Sequence, residues 1–274
     1  MNLALWRKAI VESRALLAAC AALLFGFQWV FVWVTSQVKL PAIATFLSDL
    51  PEYMQNVVGI PIDQVATTAG RIALSYIDPV VLVATGVWAI ARGSDAVSGE
   101  IGRGTMEMLL AQPVRRIAVL WTHAGVTILG AGVLGCAAWL GTFAGISTVV
   151  LDQHVDPWRF VPSAINVAAL TFFLAGVATM ASSWDSYRHR TVGLMGGFYV
   201  VGLVLEMTGK MVDNLSWLRY LTFLGVYEPQ VMVTDRAAAW EMTLNYNGVL
   251  LGLGALSYIV ATVIFCRRDL PAPL

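Results

Sequence analysis

Charged side chains are spaced so unevenly along this chain that they bracket six long apolar runs. Arg14 and Lys39 enclose the first, Arg71 and Arg92 the second, Arg116 and Asp152 the third, and Arg159 and Asp185 the fourth. Arg190 and Glu206 delimit most of the fifth, and Glu241 and Arg267 enclose the sixth. A helix that crosses the hydrocarbon core of a bilayer needs ~20 mostly apolar residues. Each run is therefore read as a span: 15–35, 71–92, 117–145, 162–183, 191–209 and 246–266. The third run is long enough to over-span, and length alone does not fix its tilt. Composition agrees. The chain is 58% hydrophobic and 12% charged, against roughly 45–50% and 25% in soluble domains. Disorder needs the reverse balance, and a net charge of zero leaves no basic footprint for nucleic acid. The predicted fold is all-α: one polytopic transmembrane domain over residues 1–274, with six transmembrane helices.

Six spans put both termini on one side, and the positive-inside rule selects it. With the termini cytoplasmic, the inner segments carry Arg7, Lys8, Arg14, Arg92, Arg103, Arg115, Arg116, Arg188, Arg190, Arg267 and Arg268. The outer ones carry Lys39, Arg71, Arg159, Lys210, Arg219 and Arg236, so the excess lies inside. Trp33, Trp158, Trp184, Trp217 and Trp240 fall near span ends, where an aromatic belt places them. Residues 1–14 read as a short amphipathic helix lying on the inner surface. Leu17-Ala18-Ala19-Cys20 imitates a lipoprotein cleavage box, but Arg14 leaves too short an apolar region before it. Cys20, Cys136 and Cys266 are far apart, and no Cys/His spacing supports a metal site. The outer loops, 36–70 and 210–245, are too apolar for linkers. Leu40-Pro41, Leu50-Pro51 and Ile60-Pro61 break the first into short interfacial helices, and Tyr227-Glu228-Pro229-Gln230 closes the second. Both are read as packing caps over the bundle, with a gate or substrate vestibule as the alternative.

The inner segment 93–116 differs in character. Gly99, Gly102 and Gly104 permit a tight turn. Thr105 is placed to cap a short helix, and Glu107 near its start suits the helix dipole. Met106, Leu109 and Leu110 make one apolar face, and Pro113 ends the helix. A short helix held between two spans is a lever: pressure on it moves both. Physics alone leaves a second reading equally open, a helix buried among lipid headgroups.

The pattern Glu100-x-x-x-Gly104-Thr105-x-Glu107-x-Leu109-Leu110-x-x-Pro113-Val114-x-Arg116 resembles the signature of six-helix permease subunits of ABC type-2 exporters. The Leu-Pro-rich outer loop, the Tyr-Glu-Pro-Gln segment and the Arg267-Arg268-Asp269-Leu270 end are similar to the same family, so the resemblance spans essentially the whole chain. Many relatives have two or three consecutive acidic residues where this chain has Gly99-Glu100-Ile101. The resemblance implies a coupling helix that docks on an ATPase, with Glu100, Gly104, Thr105, Glu107, Leu109, Leu110, Pro113 and Arg116 in that role. It implies two cytoplasmic ABC ATPase subunits as partners, a second copy of this chain, and a bacterial-type cytoplasmic membrane. ATP and Mg belong to the partner. This chain has no phosphate-binding loop of its own: Gly209-Lys210 is followed by Met211, and Val204 stands where GxxxxGK[ST] needs its first glycine.

Three further features are singled out. Gly141-x-x-x-Gly145, Gly193-x-x-x-Gly197 and Gly248-x-x-x-Gly252 permit close helix approach. The default for each is packing within the chain, and the resemblance moves Gly193 and Gly197 toward a dimer seam. Asp78 and Glu206 are ionisable residues in or near spans, which makes them candidates for a transport path. His123 reads as a packed neutral histidine. A secondary ion-coupled transporter would favour an internal repeat with broken spans, and none is seen. An intramembrane enzyme would need converging groups, and Asp78, Glu206 and His123 fall at different depths.

Overall fold

Six helices long and apolar enough to cross a bilayer follow one another in the computed structural model, which describes residues 3–37, 62–65, 67–235 and 239–268. No strand occurs among the described residues. The helices that matter below are α1 (Leu3–Gln37), α2 (Thr68–Leu74), α3 (Pro79–Ser94), α4 (Thr105–Leu110), α5 (Arg116–Thr148), α6 (Val161–Trp184), α7 (Arg188–Met211), α8 (Pro229–Thr234) and α9 (Ala239–Arg267). Spans alternate in direction, so the start of α1 and the end of α9 share one end of the bundle. There Lys8 meets Glu100, and Arg116 Nη1 donates to the Arg268 carbonyl at 2.6 Å. We call this the terminal end.

The separate surface helix expected over 1–14 does not stand apart. From Leu3 onward it forms the first turns of α1. No proline or glycine interrupts residues 3–14, so nothing stops the helix from running on. The second span is the broken one. Pro79 lacks an N–H and clashes with the preceding turn, so α2 tightens into a 3₁₀ turn, Ser75–Ile77, and α3 starts afresh. The sixth span starts at Ala239 rather than 246, with Glu241 in a first turn that favours negative charge. The proline-broken helices expected in the first outer loop fall largely at 38–61, outside the described residues.

Helix α6 is the central post, packed against α9, α3, α5 and α7. In lipid there is no hydrophobic drive between apolar helices, so close approach at small residues holds them. A Cβ at Gly176 would lie 2.7 Å from the Gly254 carbonyl oxygen, joining α6 to α9. Gly141 and Gly145 join α5 to α1: added Cβ atoms would sit 2.4 Å from the Phe25 carbonyl oxygen and 2.7 Å from Val32 Cβ. The buried Trp88 indole covers Gly130 and donates to the Thr127 carbonyl at 3.2 Å, seating α3 on α5. By contrast, an added Cβ at Gly193, Gly197, Gly248 or Gly252 would meet nothing within 4 Å. Among the described residues the within-chain packing expected for 248/252 is therefore not found, because that face of α9 points out of the bundle.

The opposite end is capped by the chain between α7 and α9. Two 3₁₀ segments, Asp213–Leu221 and Phe223–Val226, lead into α8. Phe223 inserts against Phe173, Phe198 and Tyr199, over Gly202. Ser163 Oγ donates to the Pro229 carbonyl at 2.7 Å and fixes the Tyr-Glu-Pro-Gln segment on α6.

Candidate functional site

The segment between α3 and α5 is built on a widened turn. After Ser94 the helix opens into a π turn, Asp95–Gly99; such turns tend to mark functional sites. A side chain from α6 takes up the donors the turn releases. Ser182 Oγ accepts from the backbone N–H of Val97 at 3.2 Å and of Ser98 at 2.9 Å, and donates to the Ser94 carbonyl. Gly99 leaves room here for Asp95, since a Cβ would lie 2.4 Å from Asp95 Oδ1. Its absence lets the Asp95 carboxylate fold back toward Arg103. One turn, Glu100–Gly102, follows. The chain then reverses at Gly104, whose φ of +70° is the left-handed value that a side chain disfavours. Gly104 therefore holds the cap position of α4 expected for Thr105. Thr105 becomes the first helical residue, and its hydroxyl turns back to Glu100 Oε2 at 2.5 Å.

Glu100 is fully buried and is the hub of the site. Lys8 Nζ from α1 donates to both carboxylate oxygens at 2.9 Å, and Arg103 Nη2 reaches Oε1 at 3.0 Å. His123 Nε2 on α5 lies 3.8 Å away. A second buried carboxylate, Asp95, receives Arg103 Nη1 at 2.6 Å, with Arg92 at 3.6 Å and Arg188 of α7 at 3.8 Å. Hydrogen bonding to Asp95 holds the Arg103 guanidinium above its ordinary pKa. Arg92 Nη2 faces His123 Nδ1 at 3.3 Å; arginine only donates, so Nδ1 accepts. The network thus ties α1, α3, α4, α5 and α7 together at the terminal end. Glu12, Glu100 and His123 bring potential metal-ligand atoms within 4.8 Å of one another. Lys8 and Arg92 already hold the carboxylate and the imidazole, and cations around the cluster oppose another.

The expected docking residues separate into two groups. Glu100, Thr105 and Arg116 face inward, since Arg116 is drawn to the Arg268 carbonyl. Gly104, Glu107 and Pro113 are exposed. The apolar face of α4 is also split. Met106 is buried against Ala96, Val97, Leu120, Ala261 and Phe265, Leu110 packs beside it, and Leu109 is half-buried. Helix α4 ends at Leu110, short of the residue before Pro113. Sequence reasoning missed Met108, 64% exposed on the outward face, and the partners Lys8 and Asp95. Lys8 lies far from Glu100 in sequence, and no local pattern joins them.

The two path candidates, Asp78 and Glu206, both have structural duties. Asp78 caps α3: its carboxylate accepts from Val80 N–H at 2.9 Å, and Pro79 follows at the first helical position. Asp78→Ala is expected to cost about 1 kcal/mol of stability, and Asp78→Asn close to nothing, in thermal melts of the protein in lipid nanodiscs. Glu206 is buried between Lys210 at 3.2 Å, Arg219 Nε at 3.5 Å and the Thr222 hydroxyl at 3.3 Å. Arg219 also pairs with Glu228. Burial pushes the Glu228 carboxyl up, outweighing the pull of Arg219 and Lys210. A carboxyl raised in the folded state contributes most below its unfolded pKa, and that contribution is lost as pH rises through the folded value. Glu228→Gln is therefore expected to gain melting temperature over the wild type as pH rises from acid to neutral. Melting curves across that range, in the same lipid, read this directly.

Residues 7–270 match the family model described as ABC-2 family transporter protein. The uncharacterised protein YhcI of Bacillus subtilis (strain 168) is 23% identical over 218 residues. That match covers 69% of this chain and 65% of the relative, so the chain spans just under two thirds of the curated protein's length.

Proposed function

Since the chain belongs to the ABC-2 family of transporter proteins, we propose that it is the membrane permease subunit of an ATP-driven exporter in the cytoplasmic membrane, working with two copies of a separate ATPase. The observation that carries this reading is α4. It is a short helix at the end shared by both termini, fixed from behind by buried Glu100 and Met106, with Glu107 and Met108 turned outward. Such a surface transmits a push without yielding, because its attachments are to spans rather than to a loop. The basic excess at this end supports a cytoplasmic placement, where ATP and Mg would act on the partner. Nucleotide-driven closure of two ATPase subunits would draw the two α4 segments together and re-orient α3 and α5. A second copy of the chain is expected across the exposed face of α7, where a Cβ added at Gly193 or Gly197 would meet nothing within 4 Å among the described residues.

Co-purification with an ATPase subunit bearing GxxxxGK[ST] tests this. Met108→Glu places a charge in the centre of the outward face and is expected to weaken the complex at least ~30-fold, the ~2 kcal/mol of an interface hot spot. Met108 takes no part in the buried cluster, so the melting temperature of the isolated chain should not move. An ATPase that binds Met108→Glu as well as wild type would overturn the assignment of this face.

A further inference from the structure

We propose that the end of α9 is a second output of the α4 lever, in which Arg268 is the positioning residue that carries a push on α4 to the corner between α6 and α7. The proposal rests on the preceding reading, in which an ATPase pushes on α4. Helix α4 touches α9 directly. Met106 packs against Ala261 and Phe265, and Arg268 follows Phe265 by about one turn. Phe265 is completely buried. Close-packed side chains transmit displacement, so pressure on α4 moves the end of α9. A second link leaves the other end of α4. Residues 111–115 join it to Arg116, the first residue of α5, whose Nη1 donates to the Arg268 carbonyl at 2.6 Å. Arg116, expected on the docking surface, thus acts on the inside of the lever.

The Arg268 guanidinium grips the end of α6. Nη1 donates to the carbonyls of Ser183 at 3.1 Å and Asp185 at 3.0 Å, and Nη2 donates to the Ser186 hydroxyl. The last carbonyls of a helix have no partner within it and form the negative end of its dipole. A planar fork of donors meets them in one orientation, which a lysine ammonium does not reproduce. The corner beyond is itself tied to α7. Asp185 Oδ1 accepts the Tyr187 N–H at 2.9 Å, and the Tyr187 carbonyl accepts from the backbone N–H groups of Arg190 and Thr191 in the first turn of α7. The same end of α6 is held on another side by the chain that precedes α4. Ser182 Oγ bonds the π turn, and the Ser98 hydroxyl lies 3.2 Å from that of Thr191. The corner is therefore held by both stretches of chain that flank α4, the π turn before it and Arg116 with Arg268 after it. Movement of α4 shifts both, and Arg268 passes the shift to α7, the helix given to the dimer seam.

Backbone hydrogen exchange, read by mass spectrometry on the full-length chain in lipid nanodiscs, tests this in two arms. In the chain alone, Arg268→Gln should speed exchange over residues 183–190 at least ~10-fold, the worth of a charged hydrogen bond. Arg116 reaches the corner through Arg268, so Arg116→Gln should speed the same residues about three-fold, the worth of one ordinary hydrogen bond. Arg116→Lys keeps a donor for the Arg268 carbonyl and should restore the wild-type rate. In the complex with its ATPase, nucleotide should alter exchange in the wild type over both α4 and residues 183–190. With Arg268→Gln the response of α4 should stay and that of 183–190 should be lost, a split that a merely structural role for Arg268 would not produce. A response of 183–190 that survives Arg268→Gln, or a corner rate unmoved by Arg116→Gln, would overturn the proposal. If Arg268→Gln fails to fold, Arg116→Gln carries the same comparison in the complex. An ATPase that does not bind, or nucleotide that leaves wild-type α4 unchanged, would overturn the permease reading and with it the output role. The rates in the chain alone would then still report whether Arg116, Arg268 and the corner are joined.

Discussion

Glu100→Ala should destabilise the protein by about 1.5–3 kcal/mol, the size of a lost hydrogen bond to a charged group, because the Lys8 and Arg103 cations left behind are a third or more exposed and water screens them. The carboxylate is inaccessible to water and receives Lys8, Arg103 and Thr105 at once. Removing it leaves an ammonium and part of a guanidinium, both partly exposed, facing each other across the vacated site. Glu100→Gln keeps the shape and one acceptor, and should fall between wild type and Glu100→Ala. The functional consequence is expected to exceed the thermal one. Thr105 opens α4, and its hydroxyl is tied to Glu100. Lys8 ties the same carboxylate to α1. With the hub removed, a push on α4 no longer reaches α1, so reconstituted Glu100→Gln should hydrolyse ATP with its partner while transport falls. Lys8→Met combined with Glu100→Gln should be less damaging than the sum of the two single changes, because the pair acts as a unit. Strict additivity in melting temperature would show that the two groups do not share one interaction.

Gly141→Leu and Gly197→Leu make the second contrast. At Gly141 the added Cβ would lie 2.4 Å from a backbone oxygen of α1, and backbone cannot swing aside as a side chain can. The expected penalty is ~3 kcal/mol, the upper end of typical overpacking costs, with α1 pushed off α5 and little folded chain recovered. At Gly197 the same side chain meets nothing within 4 Å in the protomer. It should leave the melt within about 0.5 kcal/mol of wild type and shift the assembled species from dimer to monomer, as read by mass photometry in nanodiscs. A folded and dimeric Gly197→Leu would remove α7 from the dimer seam.

The architecture was largely legible because the bilayer imposes a length on apolar runs, and charge gaps report that length directly. What the charges do to one another was not. The family resemblance put Glu100 in the docking segment, yet the π turn and Gly104 rotate it inward to Lys8. Asp78 looked like an intramembrane charge, but the adjacent Pro79 made a cap necessary, and that signal was present in the sequence. The GxxxG motifs were equivalent as strings. Only the three-dimensional packing separates Gly141 and Gly145, pressed against α1, from Gly193 and Gly197, which face outward.

The outward face of α4 is tested most directly by site-specific cross-linking to the ATPase partner. In a background lacking Cys20, Cys136 and Cys266, single Met106→Cys, Glu107→Cys and Met108→Cys variants would be probed with a short bifunctional thiol reagent in the assembled complex. The expected pattern is strong cross-linking from positions 107 and 108 and none from 106, which is buried against α5 and α9. Cross-linking from 106, or none from 107 and 108, would contradict the claim that this buried-backed helix is the face on which the motor pushes.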